Sequence, residues 1–103
     1  MTIEDIARLY KEQYVHWTNH MLERIFSRGI GMEDVESALV QGEIIEQYPT
    51  DYPHPSCLIL GRTKAGKALH VVCGSSGVEL WLITAYFPSP VEWTEDFRHR
   101  RKP

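Results

Sequence analysis

The chain has 103 residues, 43% of them hydrophobic and 24% charged, with a formal net charge of −3. That length is one globular domain's worth, and the composition excludes a disordered or collagenous chain. The negative balance excludes a strongly basic nucleic-acid coat, and two cysteines are too few for a disulfide framework.

Glu4 and Asp5 interrupt the first apolar residues, so no secretory core is seen there, and no apolar run approaches the ~20 residues that span a bilayer. The expectation is a cytoplasmic protein with reduced thiols and no membrane partner. Thr2 stands three residues before Asp5, a weak capping box, and Ile6, Leu9, Tyr10 and Tyr14 recur at helical spacing. The β-branched and aromatic stretch at 15–17 breaks that helix. A second helix is predicted over 18–28, capped by Thr18 and stopped by Gly29, with Met21, Leu22, Ile25 and Phe26 as its apolar stripe. A third, over 32–41, turns Val35, Ala38 and Leu39 inward and stops at Gly42.

From residue 43 the hydrophobic period becomes two. Strands are predicted at 43–48, 56–62, 67–74 and 78–87, with an extended loop where Pro49, Pro53 and Pro55 remove amide donors. Thr63-Lys64-Ala65-Gly66 and Ser75-Ser76-Gly77 read as hairpin turns, and 92–97 as a turn of helix. Arg98, His99, Arg100, Arg101 and Lys102 form the only basic cluster, read as a frayed, solvated terminus. The predicted fold is α+β: helices packed on one face of a four-stranded antiparallel sheet.

Two groups of residues have chemical potential. His20 and Arg24, four apart on the second helix, place an imidazole that can pass protons beside a permanent cation that can hold a phosphate. The other reading of the pair is a solvated helix face. With a three-residue loop at 75–77, His70 faces Leu82, Leu60 faces His70 and Cys57 faces Cys73. One sheet face then carries Arg62, His70, Thr84 and Tyr86, although a one-residue slip would send Thr84 and Tyr86 to the other. His70 can equally be a satisfied core histidine. Cys57 and Cys73 read as buried thiols. His16 and His20 have a chelating spacing but lack a third ligand in any metal motif, so no metal is expected.

Several runs are family-specific in their order: Trp17-Thr18-Asn19-His20, Glu23-Arg24, Arg28-Gly29-Ile30, Asp34-Val35-Glu36 and Gly42-Glu43-Ile44-Ile45. Tyr52-Pro53, Leu58-Ile59-Leu60-Gly61, Leu69-His70-Val71-Val72 and Thr84-Ala85-Tyr86 continue the series. Together they resemble the bacterial domain-of-unknown-function 4258 family, over about residues 15–98 of one domain at 1–103, with 1–14 as a helical extension. That family is similar, more distantly, to the RelE-like and BrnT-like ribonuclease toxins, and a RelE/barnase-like fold is what the resemblance implies. It further implies a ribonuclease free of metal and cofactor, with His20 and His70 as general base and acid around a 2′-hydroxyl. Arg24 would stabilise the phosphate charge, Tyr86 would complete the catalytic set, and Thr84 and Arg62 would hold substrate. RNA or an antitoxin-like protein is the implied partner of a monomer or homodimer, while the acidic charge departs from the basic RelE-like toxins. The competing reading is a non-catalytic interaction module, with His20, Arg24 and Tyr86 as a structural network and Trp17, Trp81 and Trp93 at an interface.

Overall fold

In a computed structural model, which describes residues 1–102, the chain order is α1 (Ile3–Lys11), β1 (Val15–Trp17), α2 (Asn19–Ser27), α3 (Met32–Gln41), β2 (Glu43–Tyr48), β3 (Ser56–Arg62), β4 (Ala68–Ser75) and β5 (Leu80–Tyr86). The sheet has five strands in the order β1-β5-β4-β3-β2. It is mixed, because β1 runs parallel to β5 while the other pairs are antiparallel. The expected four-stranded antiparallel sheet is therefore corrected by one strand, the stretch at 15–17 taken for a helix break. Three residues are too few to show a period of two, and the pairing depends on a partner 65 positions away (Val15 with Leu80).

Local chemistry explains the helix ends. Thr2 Oγ1 accepts the Asp5 amide and Thr18 Oγ1 accepts the Met21 amide, each at 3.1 Å. Asp34 reaches back to the Gly31 amide at 3.3 Å. Gly29 closes the region after α2 with φ +69°, a conformation that costs glycine little. Phe26, expected in the apolar stripe of α2, is 89% exposed, and the helix buries Met21 and Ile25 instead.

The helices cover one face of the sheet. Ile6, Leu9, Met21, Ile25, Val35, Ala38 and Leu39 pack with Cys57, Ile59, Leu69, Val71, Cys73, Leu80, Leu82 and Ala85 in one core. Each fully buried aliphatic side chain there is worth about 1.5–3 kcal/mol. Helix α3 lies close on β3: a Cβ at Gly61 would stand 2.4 Å from Ala38 Cβ.

The other face holds a second, smaller core. Alternation along β3 and β4 turns Leu58, Leu60 and His70 to it, and all three are buried, as is Trp93 from the segment after β5. That segment is a strap across the face, not a frayed basic tail or a turn of helix. Trp93 bridges to Arg100, Arg98 pairs with Glu43 at 2.5 Å, and Arg100 makes two bonds to Glu46 at 3.1 and 3.2 Å. Its arginines find carboxylates on β2, and the Arg100 guanidinium lies 4.7 Å over the Trp93 ring.

The β3–β4 register is as expected, including Leu60 opposite His70 and Cys57 opposite Cys73, whose sulfurs are 3.8 Å apart. The β4–β5 register differs: His70 lies opposite Tyr86, not Leu82. Ser75 and Ser76 hydroxyls accept the amides of Gly77, Val78 and Glu79, which lengthens the turn, and a bulge follows at Val72/Cys73. A displacement by four residues preserves the face, so Tyr86 still shares it with His70.

Candidate functional site

Helix α2 carries the exposed polar residues closest to a reactive arrangement. Thr18 anchors it by accepting the Met21 amide and donating to the Leu82 carbonyl at 3.1 Å, which fixes the helix start against β5. His20, Arg24 and Arg28 follow at four-residue intervals, each about 6 Å further along the axis. Arg24 Nε donates to His20 Nε2 at 3.2 Å, so the imidazole lone pair lies on Nε2 and the neutral ring carries its proton on Nδ1. At the other end, Arg28 donates from one guanidinium nitrogen to the Ala85 carbonyl at 2.8 Å and to Thr84 Oγ1 at 3.3 Å. β1 stops opposite Leu82, so the Ala85 carbonyl lies on an open stretch of strand edge, and Arg28 fills it. The remaining guanidinium donors of Arg28 are free for an anion. His20, Arg24 and Arg28 are exposed, and Thr84 is partly so.

His70 is in a different environment. It is fully buried, its Nε2 is 2.9 Å from the Phe97 carbonyl and its Nδ1 is 3.2 Å from the Tyr86 hydroxyl. A carbonyl only accepts, so Nε2 carries the proton and Nδ1 accepts from Tyr86. Trp93 meets the ring edge to face at 4.5 Å, and Tyr86 at 5.3 Å. Burial pushes the His70 pKa below its ordinary 6.5, outweighing the Phe97 carbonyl and the Glu46 carboxylate, which favour the charged ring. Burial also raises the Tyr86 phenol. Glu46 loses stability of its charge to burial but regains more from Tyr48 and Arg100, so its carboxyl sits below the ordinary range.

The structure thus brings the expected residues together as two separate groups. His20, Arg24 and Thr84 share a ridge along α2 and the edge of β5. His70 and Tyr86 form a hydrogen-bonded pair under the strap, on the sheet face opposite the helices. The two imidazoles do not meet in one hollow: α2 packs through Met21 and Ile25 on one side of the sheet, and His70 points from the other. Arg62 stands at the far end of β3, where it reaches the Gly66 carbonyl at 3.4 Å and lines a cavity of about 250 Å³ with Arg98 and Glu43. His16 is on β1, bonded to Glu79 at 3.0 Å, and not on a helix with His20. Trp93 is 2% exposed, which removes it from any interface of this face as it stands. The residue that sequence reasoning missed is Arg28, although its spacing from His20 and Arg24 was there to be read.

Among the described residues, no group of three or more His, Cys, Asp or Glu is placed to hold a metal ion, and no helix is long and apolar enough to cross a membrane. The sequence model of a family described as Domain of unknown function (DUF4258) matches residues 17–87. That span takes in the whole ridge, together with His70 and Tyr86. No curated protein and no solved structure matches the chain.

Proposed function

The chain belongs to the DUF4258 family, and from the geometry of this member we propose an RNA-binding domain with metal-independent ribonuclease chemistry centred on α2. The observation that carries the reading is the exposed row of His20, Arg24 and Arg28, with Thr84 at its end. Guanidinium forks match phosphate oxygens, and successive turns of the helix offer donors to successive positions along a backbone. A phosphate that draws Arg24 toward it releases the lone pair of His20 Nε2. That nitrogen then accepts the proton of a 2′-hydroxyl as O2′ bonds to phosphorus and the bond to O5′ breaks. Water protonates the departing oxygen, His20 returns its proton to solvent, and Arg24 and Arg28 balance the charge growing on the phosphate. In this mechanism His70 and Tyr86 secure the strap and take no part in the chemistry.

The likeness to RelE-like toxins supports the reaction class, and the ridge supports the residues. The test is cleavage of a single-stranded RNA by the wild-type protein, His20→Ala, Arg24→Gln and His70→Gln, each with its folded state verified by thermal melting. Loss of cleavage in the first two variants with retention in the third is expected, and general acid–base catalysis sets the scale of the His20 effect at about 10²–10⁴-fold. No cleavage by the wild type, or equal cleavage by His20→Ala, overturns the catalytic reading. No binding at all overturns the RNA reading and leaves the interaction module.

A further inference from the structure

One residue along β5 from Thr84, the far face of the sheet contains a cleft of about 310 Å³. Its floor is Gly74 and Ile83, and its walls are Tyr52, Trp81 and His54, with the Asp51 carboxylate at the rim. We infer that this cleft is a nucleobase subsite, which takes the base of an unpaired nucleotide whose phosphate lies against Arg28. The inference rests on the ridge reading above and extends it from phosphate to base.

Three observations support it. Trp81 is held rigid: it stacks on His16, its neighbour on β1, at 5.0 Å between centroids and 14° between planes. It stacks on His54, which reaches it from the β4 side, at 4.6 Å and 16°. Tyr52 is 92% exposed, an aromatic ring free to close on a flat guest. Such rigid and open rings are the platforms on which unpaired bases stack.

Gly74 supplies the second observation. A glycine inside a strand weakens it, and commonly marks a close approach by a ligand or another backbone. A Cβ at Gly74 would meet nothing nearer than the Pro55 carbonyl at 3.4 Å and Ile83 Cδ1 at 3.6 Å, which are ordinary contacts. Packing therefore does not require the glycine; its missing side chain keeps the cleft floor open.

The third observation is adjacency and polarity. Ile83 forms part of the floor, and the next residue, Thr84, is the one that Arg28 contacts. Asp51 accepts from Ser56 Oγ at 2.6 Å and from the Tyr52 amide at 3.3 Å, and each of its oxygens keeps a second acceptor site. Those sites select bases with an exocyclic amino group over uracil.

The test uses adenosine, uridine, oligoadenylate and an abasic phosphodiester of the same length. The readout is the indole N–H signal of Trp81, assigned with Trp81→Phe. Adenosine is expected to move that signal more than uridine does, and Gly74→Val or Tyr52→Ala is expected to weaken oligoadenylate binding about tenfold, the scale of one stacked base. Abasic binding should be unchanged in both variants; Tyr52→Ala, at an exposed position, guards against misfolding of Gly74→Val. An unmoved Trp81 signal, or unaltered oligoadenylate affinity in Tyr52→Ala, overturns the subsite even if the ridge still binds the abasic chain. A signal moved by N-acetyl-leucinamide and not by adenosine assigns the cleft to a protein side chain and overturns it too. Adenosine bound without any abasic binding upholds the subsite and removes the ridge.

Discussion

Two histidines of one chain have opposite fates, decided by what surrounds each nitrogen. His20 has an exposed ring whose Nε2 lone pair is lightly held by Arg24. His70 has both nitrogens engaged and no exposed surface. The buried ring also makes stability depend on pH. Its folded pKa lies below the ordinary 6.5, so the unfolded chain binds the proton more readily. Stability is therefore complete above about 6.5, declines as pH falls below that value, and levels off below the folded pKa. Glu46, with its pKa held below the ordinary 4.5, adds a second loss at more acidic pH. Thermal melting between about pH 7.5 and 5 should show a falling midpoint that His70→Gln flattens, while His20→Ala follows the wild-type curve. A slope unchanged in His70→Gln would place the titrating group elsewhere.

Elements meet here through positions where a side chain would not fit, and through a strap joined by charge. At Gly61 the approach of α3 to β3 leaves no room for a Cβ, which would face Ala38 Cβ at 2.4 Å and Ala38 Cα at 2.7 Å. Gly61→Ala must push the helix off the sheet, and overpacking of this kind costs about 1–3 kcal/mol. Chemical denaturation is the measure, with Gly66→Ala as the contrast. Gly66 meets no neighbour, and its penalty comes from φ +82° alone. Equal destabilisation of the two would show that the α3–β3 contact relaxes freely. The strap depends on partners that no local pattern announces: Arg98 on Glu43, Arg100 on Glu46, and the Phe97 carbonyl on His70.

Across the whole molecule, a net charge of −3 sets how a cationic ridge can work. Three arginines or lysines of the basic cluster would be counted as nucleic-acid contacts on sequence alone, yet Arg98 and Arg100 are paired with carboxylates. The free guanidinium donors are those of Arg24 and Arg28. If these two neutralise two phosphates of a single strand, the logarithm of affinity falls with the logarithm of salt at a slope of about −1.4. Binding of a short single-stranded RNA across a salt series measures it. Arg24→Gln with Arg28→Gln should bring the slope close to zero, whereas Arg100→Gln should leave it intact. A slope that follows Arg100 would move the contact from the ridge to the strap.

Much of this was legible along the chain. The three helices, their caps at Thr2 and Thr18, the β2–β3–β4 pairing with Cys57 opposite Cys73, and the His20–Arg24 pair follow from spacing, because helix and hairpin geometry are set by near neighbours. Other features depended on residues far apart in sequence. β1 needs Leu80–Leu82 as its partner, Arg28 needs the open edge at Ala85, and the strap needs Glu43 and Glu46. The same holds for His70, whose face was readable from a period of two but whose burial was not. What lies over a sheet face depends on where a later segment returns, and the energy of that return is shared among ion pairs, an aromatic contact and one carbonyl. The sequence by itself therefore determined the elements and the side on which each histidine lies. Only the tertiary structure decided that one is open to solvent and the other closed under Trp93, since burial is a property of distant surfaces brought together.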